Sequence, residues 1–206
     1  MTIRVFENQT PTNFFSPFYK YFLFESMSDI DIEKLKKYIL SIEKDIIKNT
    51  KAEGDGRTGL GINSLTSRHF AFNLFELNET IYLKNNIKEN LKLFFEELKI
   101  PLPKETYGKC WANVMRDGDQ IKRHRHCERE YDSFLSGHLC VEVNETGTYY
   151  VNPFEDTAFK SENKPGKITI FPSWIEHYTD VASSRRITVA FDLALQPIEN
   201  SNFVLI

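Results

Sequence analysis

Five short runs between Cys110 and Leu195 constrain the chain most. "CWANVM" (110–115), "FLSGHLCVEV" (134–143), "GTYYVNP" (147–153), "GKITIFPS" (166–173) and "RRITVAFDLAL" (185–195) are rich in β-branched and aromatic residues. The stretches between them, "RDGDQ", "VNETG", "NKPGK" and "VASSR", carry turn-forming side chains. Short strands at this spacing bury their apolar faces by packing sheet on sheet, so the spacing predicts an all-β sandwich or barrel over 106–206.

The first half reads differently. "DIDIEKLKKYILSIEKDIIKN" (29–49) sets Ile30, Leu35, Ile39, Ile42 and Ile46 at helical spacing behind a Ser/Asp cap region. "YLKNNIKENLKLFFEELKI" (82–100) repeats the pattern with Leu83, Ile87, Leu91, Phe94, Phe95 and Leu98 before "PLP" stops it. Residues 1–105 are therefore expected to be a helical support region and loop. The Gly-, Ser- and Thr-rich segment "GDGRTGLGINSLTSRHF" reads as a loop whose 50–66 portion is a candidate lid. His69, within it, is expected at the surface.

Composition narrows the function classes. A chain of 206 residues, 41% hydrophobic, can bury a core as one α+β, mainly β domain. A net charge of −3 argues against a protein built chiefly to wrap nucleic acid. The three cysteines, Cys110, Cys127 and Cys140, form no disulfide framework and suit a reducing compartment. The segment "MTIRVFENQTPTNFF" has no long apolar core, and no run approaches the length of a membrane span. The expectation is a cytoplasmic protein without a membrane partner.

"IKRHRHCERE" (121–130) holds the first chemical signal. On an extended strand His124 and His126 leave the same face, where two imidazoles can grip one ion. An isolated pair of this kind more often serves as solvated polarity. His177 adds a third imidazole after the strand "KITIFPSWIEH". In "RRITVAFDL", alternation puts Arg186, Thr188, Ala190 and Asp192 on one face and Ile187, Val189, Phe191 and Leu193 on the other.

Taken in order, "WANVMRDGDQIKRHRH" (111–126), "SGHLCVEV" (136–143), "YYVNPFE" (149–155), "PGKITIFPSWIEHYTD" (165–180) and "RRITVAFDL" (185–193) resemble the 2-oxoglutarate and Fe(II)-dependent oxygenase superfamily, in particular its small bacterial and phage members related to prolyl hydroxylases. The resemblance implies a double-stranded β-helix, or jelly roll, supported by the N-terminal helices. It implies Fe(II) as cofactor, 2-oxoglutarate as cosubstrate, O2, and hydroxylation of an amino-acid side chain, free as a small molecule or within a peptide or protein. In that pattern a first His is followed two positions on by an acidic residue, then by a distal His and an Arg or Lys. Arg186 would hold the far carboxylate of 2-oxoglutarate with Thr188 as second donor, and Arg185 would point the other way. Asn113 and Tyr150 are further cosubstrate candidates, and His138 and Trp174 candidate cavity residues.

The chain departs from the pattern at the acidic position, which is His126. One ligand set is then His124, His126 and His177. The alternative shifts the motif by two, because "HCE" is itself His-x-Glu, and replaces His124 by Glu128. From a different class, a cupin-like barrel would use three His to bind metal without 2-oxoglutarate, as a dioxygenase or a non-catalytic binding module. A nucleic-acid demethylase fits the overall charge less well.

Overall fold

The computed structural model describes residues 1–8, 18–52, 54, 58–126, 133–155, 157–199 and 201–206. The predicted strands form: β3 (Tyr107–Met115), β4 (Leu135–Glu142), β5 (Gly147–Val151), β7 (Lys167–Pro172) and β9 (Arg186–Ala194). Five others join them: β1 (Thr2–Glu7), β2 (Lys20–Met27), β6 (Ala158–Glu162), β8 (His177–Thr179) and β10 (Val204–Leu205). They build a seven-stranded sheet in the order β1-β2-β7-β4-β9-β3-β10 and a three-stranded sheet in the order β6-β5-β8. The pairings between these strands are antiparallel.

β1 and β2 correct the expectation that the first half is helix and loop alone. β2 has apolar side chains on both faces: Tyr21 and Leu23 point between the sheets, and Phe24 joins the core beneath the helices. A strand buried on both sides shows no polar alternation, which hides it in the sequence. β6 is mostly exposed and correspondingly polar.

Both predicted helices are present. α1 (Ile32–Asn49) starts where Asp31 accepts a hydrogen bond from the Lys34 amide at 2.9 Å, an N-cap that satisfies one of the unpaired first-turn donors. α2 (Tyr82–Leu98) ends at Lys99, whose left-handed backbone (φ 56°) lets its amide close on the last turn ahead of Pro101. Their apolar stripes cover the outer face of the large sheet. Leu35, Ile39, Ile87, Leu91 and Phe94 meet Val114, Leu139, Ile170, Val189 and Phe191 in one buried core. Gly137 permits the close approach there, because a Cβ would lie 2.3 Å from the Phe191 ring and 2.5 Å from the Thr169 carbonyl oxygen.

β9 therefore has two occupied faces, as its alternation predicts. Ile187, Val189, Phe191 and Leu193 belong to the helix-side core, while Arg186, Thr188 and Ala190 line a cavity between the two sheets. No helix among the described residues is long and apolar enough to cross a membrane.

Candidate metal centre

The segment carrying the histidine pair is tied to the distal histidine by backbone. The His124 amide donates to the His177 carbonyl at 3.1 Å, and the His177 amide returns a bond to the His124 carbonyl at 2.9 Å. The His126 amide donates to the Ser173 carbonyl at 3.0 Å. Held this way, the segment places His124 and His126 on one face, opposite the start of β8. The ring centroids lie 4.4 Å (His124–His177), 5.1 Å (His126–His177) and 5.1 Å (His124–His126) apart. One ring nitrogen from each falls within 4.8 Å of the others.

The opposite nitrogens explain which atoms converge. His124 Nδ1 lies 2.8 Å from the Lys122 carbonyl, His177 Nδ1 lies 3.2 Å from the Ile175 carbonyl, and His126 Nδ1 lies 2.6 Å from Asp192 Oδ1. These partners are all acceptors, so each Nδ1 carries the proton and each Nε2 keeps its lone pair. His124 Nε2 and His126 Nε2 then face each other at 3.2 Å as two acceptors. A shared cation resolves that opposition. Burial, and next the neighbouring His126, push the His124 pKa down to about 4, and burial with the other two imidazoles drives His177 well below its ordinary value. Protons are thus disfavoured where a metal ion is not. Three imidazoles suit iron, zinc, copper or nickel.

The histidines line a narrow cavity between the sheets. Arg186 lies in its wall, 2% exposed. Its Nη2 donates to Thr148 Oγ1 at 3.3 Å, while Nε and Nη1 have no partner. Burial lowers its pKa, yet a guanidinium stays protonated in proteins. A buried cation with two unused donors is costly unless an anion meets it. Arg185 turns outward and holds Glu142 through two bonds of 2.6 and 3.1 Å, which settles the register of the pair.

The other expected residues divide. Thr188 and Asn113 line the cavity and are joined, Asn113 Nδ2 donating to Thr188 Oγ1 at 3.3 Å. Asn113 Oδ1 is taken by Thr66 Oγ1 at 2.6 Å. His138 also lines the cavity; its Nε2 is unpartnered, and burial, with Arg186 nearby, brings its pKa to about 3. Tyr150 and Trp174 do not line it. Tyr150 is buried beside the Phe171 and His177 rings, and Trp174 is 41% exposed, edge-on to Tyr21. Glu128, the alternative ligand, and Cys127 lie outside the described residues; Cys140 is a buried core thiol.

Several residues of the site escaped the sequence reading. Thr148 arrives from the small sheet, and Asp192 sits behind His126. Thr58 and Thr66, both from the central loop, line the cavity as well. His69 is half-buried where the surface was expected: its ring packs on Phe70 and Trp111 (3.8 and 5.3 Å), and burial lowers its pKa to about 4. Trp111 in turn stacks on His126 at 5.7 Å. The aromatic neighbours of His69 were the available signal.

No protein-family model and no curated protein matches the chain. Solved structures do. A Pseudomonas putida prolyl-4-hydroxylase is 10% identical over 85% of this chain and 93% of its own, with a TM-score of 0.60. A prolyl hydroxylase from Trichoplax adhaerens, in complex with a hypoxia inducible factor peptide fragment, is 10% identical over 84% and 83%, with a TM-score of 0.61. A viral collagen prolyl hydroxylase from Paramecium Bursaria Chlorella virus-1, in complex with 2-oxoglutarate, is 11% identical over 83% and 94%, with a TM-score of 0.54. The chain thus has the jelly-roll fold found in 2-oxoglutarate and Fe(II)-dependent oxygenases.

Proposed function

We propose that the chain is a non-haem Fe(II) and 2-oxoglutarate-dependent dioxygenase that hydroxylates an amino-acid side chain, free or within a peptide. The observation that carries this reading is the pairing, in one cavity, of three convergent imidazole lone pairs with a buried guanidinium whose Nε and Nη1 have no partner. A dicarboxylate cosubstrate would supply the acceptor that the Arg186 guanidinium lacks, and a metal ion would use the imidazole lone pairs.

His124, His126 and His177 would hold the iron through their Nε2 atoms. Bound iron and cosubstrate supply oxidative chemistry: dioxygen is consumed, 2-oxoglutarate becomes succinate and CO2, and a substrate C–H bond becomes C–OH. The remaining work belongs to the side chains. Arg186 offers a planar fork to the far carboxylate, the geometry in which charge-assisted hydrogen bonds are strongest. The Thr188 hydroxyl accepts from Asn113 and so keeps its own proton to donate. Asn113, by binding Thr66 as well, ties the central loop to the cosubstrate wall. Phe171, Ile121 and Trp111 make the cavity apolar, which excludes water and strengthens each polar contact inside it.

For the substrate, the fold shared with prolyl hydroxylases supports an amino-acid side chain. Exposed Lys122 and Arg125 flank the histidines and favour a peptide with acidic residues beside the target. The net charge of −3 supports a peptide over nucleic acid. The cupin-like reading, three histidines without 2-oxoglutarate, leaves the buried Arg186 cation without an anion.

Anaerobic mixing with Fe(II) and 2-oxoglutarate tests the proposal through the visible metal-to-ligand charge-transfer band. Wild type is expected to give the band and Arg186→Ala to lose it at the same cosubstrate concentration. A folded, iron-loaded wild type without the band overturns the reading in favour of the cupin-like one.

A further inference from the structure

His124 and His177 rest their Nδ1 protons on neutral backbone carbonyls, but His126 rests its own on a carboxylate, Asp192 Oδ1, at 2.6 Å. Asp192 is 4% exposed. Ser136 Oγ donates to the same oxygen at 2.6 Å, and Lys109 Nζ lies 3.7 Å from Oδ2. The Lys109 ammonium is itself enclosed by the Phe70, Trp111 and Phe203 rings at 5.0, 5.4 and 5.3 Å. The carboxylate thus meets an imidazole N–H, a hydroxyl donor and an ammonium.

His126 stands where the resembled pattern has its acidic ligand, and it is the imidazole of the three backed by an anion. From this juxtaposition we infer that Asp192 is a positioning residue that supplies, one hydrogen bond removed, the negative charge missing from a three-imidazole donor set. It fixes the His126 tautomer and ring angle and makes that Nε2 the strongest donor of the three. The inference rests on the proposed metal site. Lys109 sets its strength, because a cation on Oδ2 draws charge away from Oδ1.

Anaerobic titrations of the full chain with Co(II) and with Fe(II) test it without reference to turnover. Asp192→Asn keeps an acceptor for His126 and removes the charge. We expect it to fold and to bind Co(II) roughly 10–100-fold more weakly, with a shifted visible Co(II) spectrum and a raised Fe(III)/Fe(II) midpoint potential. Affinity within about threefold of wild type, with spectrum and potential unchanged, overturns the role. Should Asp192→Asn fail to fold, Lys109→Met decides: it leaves Asp192 in place without its counter-cation, and the potential is expected to fall. An unchanged potential there also overturns the role. Wild type that binds neither Co(II) nor Fe(II) fails differently, because it removes the metal site itself.

Discussion

Arg186 on β9 and Thr148 on β5 join the two sheets: Nη2 donates to Oγ1 at 3.3 Å, the one hydrogen bond this buried guanidinium makes among the described residues. Such a group weakens the ligand-free fold and strengthens the liganded one.

Arg186→Met should therefore act in opposite directions on the two states. The ligand-free protein is expected to gain about 1–4 kcal/mol, because a well-packed apolar side chain replaces an uncompensated charge. Added 2-oxoglutarate is expected to raise the wild-type Tm and to leave the variant's Tm unmoved. Urea unfolding and thermal shift, each with and without 2-oxoglutarate, read both effects; a destabilised ligand-free variant would show that the cation is already satisfied.

His124 and Glu128 are the rival candidates for one ligand position, and single substitutions separate them. His124→Ala should lose Fe(II) binding by at least about 100-fold, the scale on which even the supporting partners of metal ligands matter. Glu128→Gln should bind as wild type does. Equilibrium dialysis against Fe(II) under nitrogen decides, and the reverse ranking would assign the site to His126, Glu128 and His177.

Histidine burial sets the acid response of the metal-free protein. The pKa values of His69 (about 4) and His138 (about 3) lie below the ordinary 6.5 because burial disfavours the cation. The unfolded chain binds protons first as pH falls, so stability is complete above about pH 6.5 and drains away toward pH 4. Each histidine contributes at most about 1.4 kcal/mol per pH unit to the slope. Denaturant midpoints at pH 7, 5.5 and 4.5 should decline steadily, and His69→Gln should flatten the decline by about one proton. An unaltered slope would show that His69 titrates alike in both states.

Gly137→Ala should destabilise by about 3 kcal/mol, since the new methyl would overlap both the Phe191 ring and the Thr169 carbonyl oxygen. Equilibrium unfolding measures it. A loss under about 0.5 kcal/mol would mean that β4 and β9 part without strain.

What was legible in the sequence follows from how far each signal reaches. The HxH pair and "PGKITIFPSWIEH" carry their chemistry locally, and the structure brings their histidines together. The alternation of β9 put Arg186, Thr188 and Asp192 on one face and the resemblance turned that face inward, where Arg186 and Thr188 line the cavity. Nothing in a linear reading links position 192 to position 126; the fold alone brings Asp192 to the His126 ring. Thr148 was hidden for a similar reason, being delivered by the opposite sheet. β2 was hidden by its own burial, its two apolar faces erasing the period of two. Tyr150 and Trp174 have the composition of cavity residues, yet packing on Phe171 and Tyr21 decides their places.

β9 has a consequence for how such a chain can vary. Its odd-numbered side chains anchor the helices, while Arg186, Thr188 and Asp192 face the cavity and the metal-site histidines. One residue inserted or deleted between Arg186 and Asp192 would exchange the faces of all residues on one side of the change, putting either the arginine or the aspartate into the apolar core. Diversification along this strand is therefore confined to substitutions, and length changes have to accumulate in the connections at its ends.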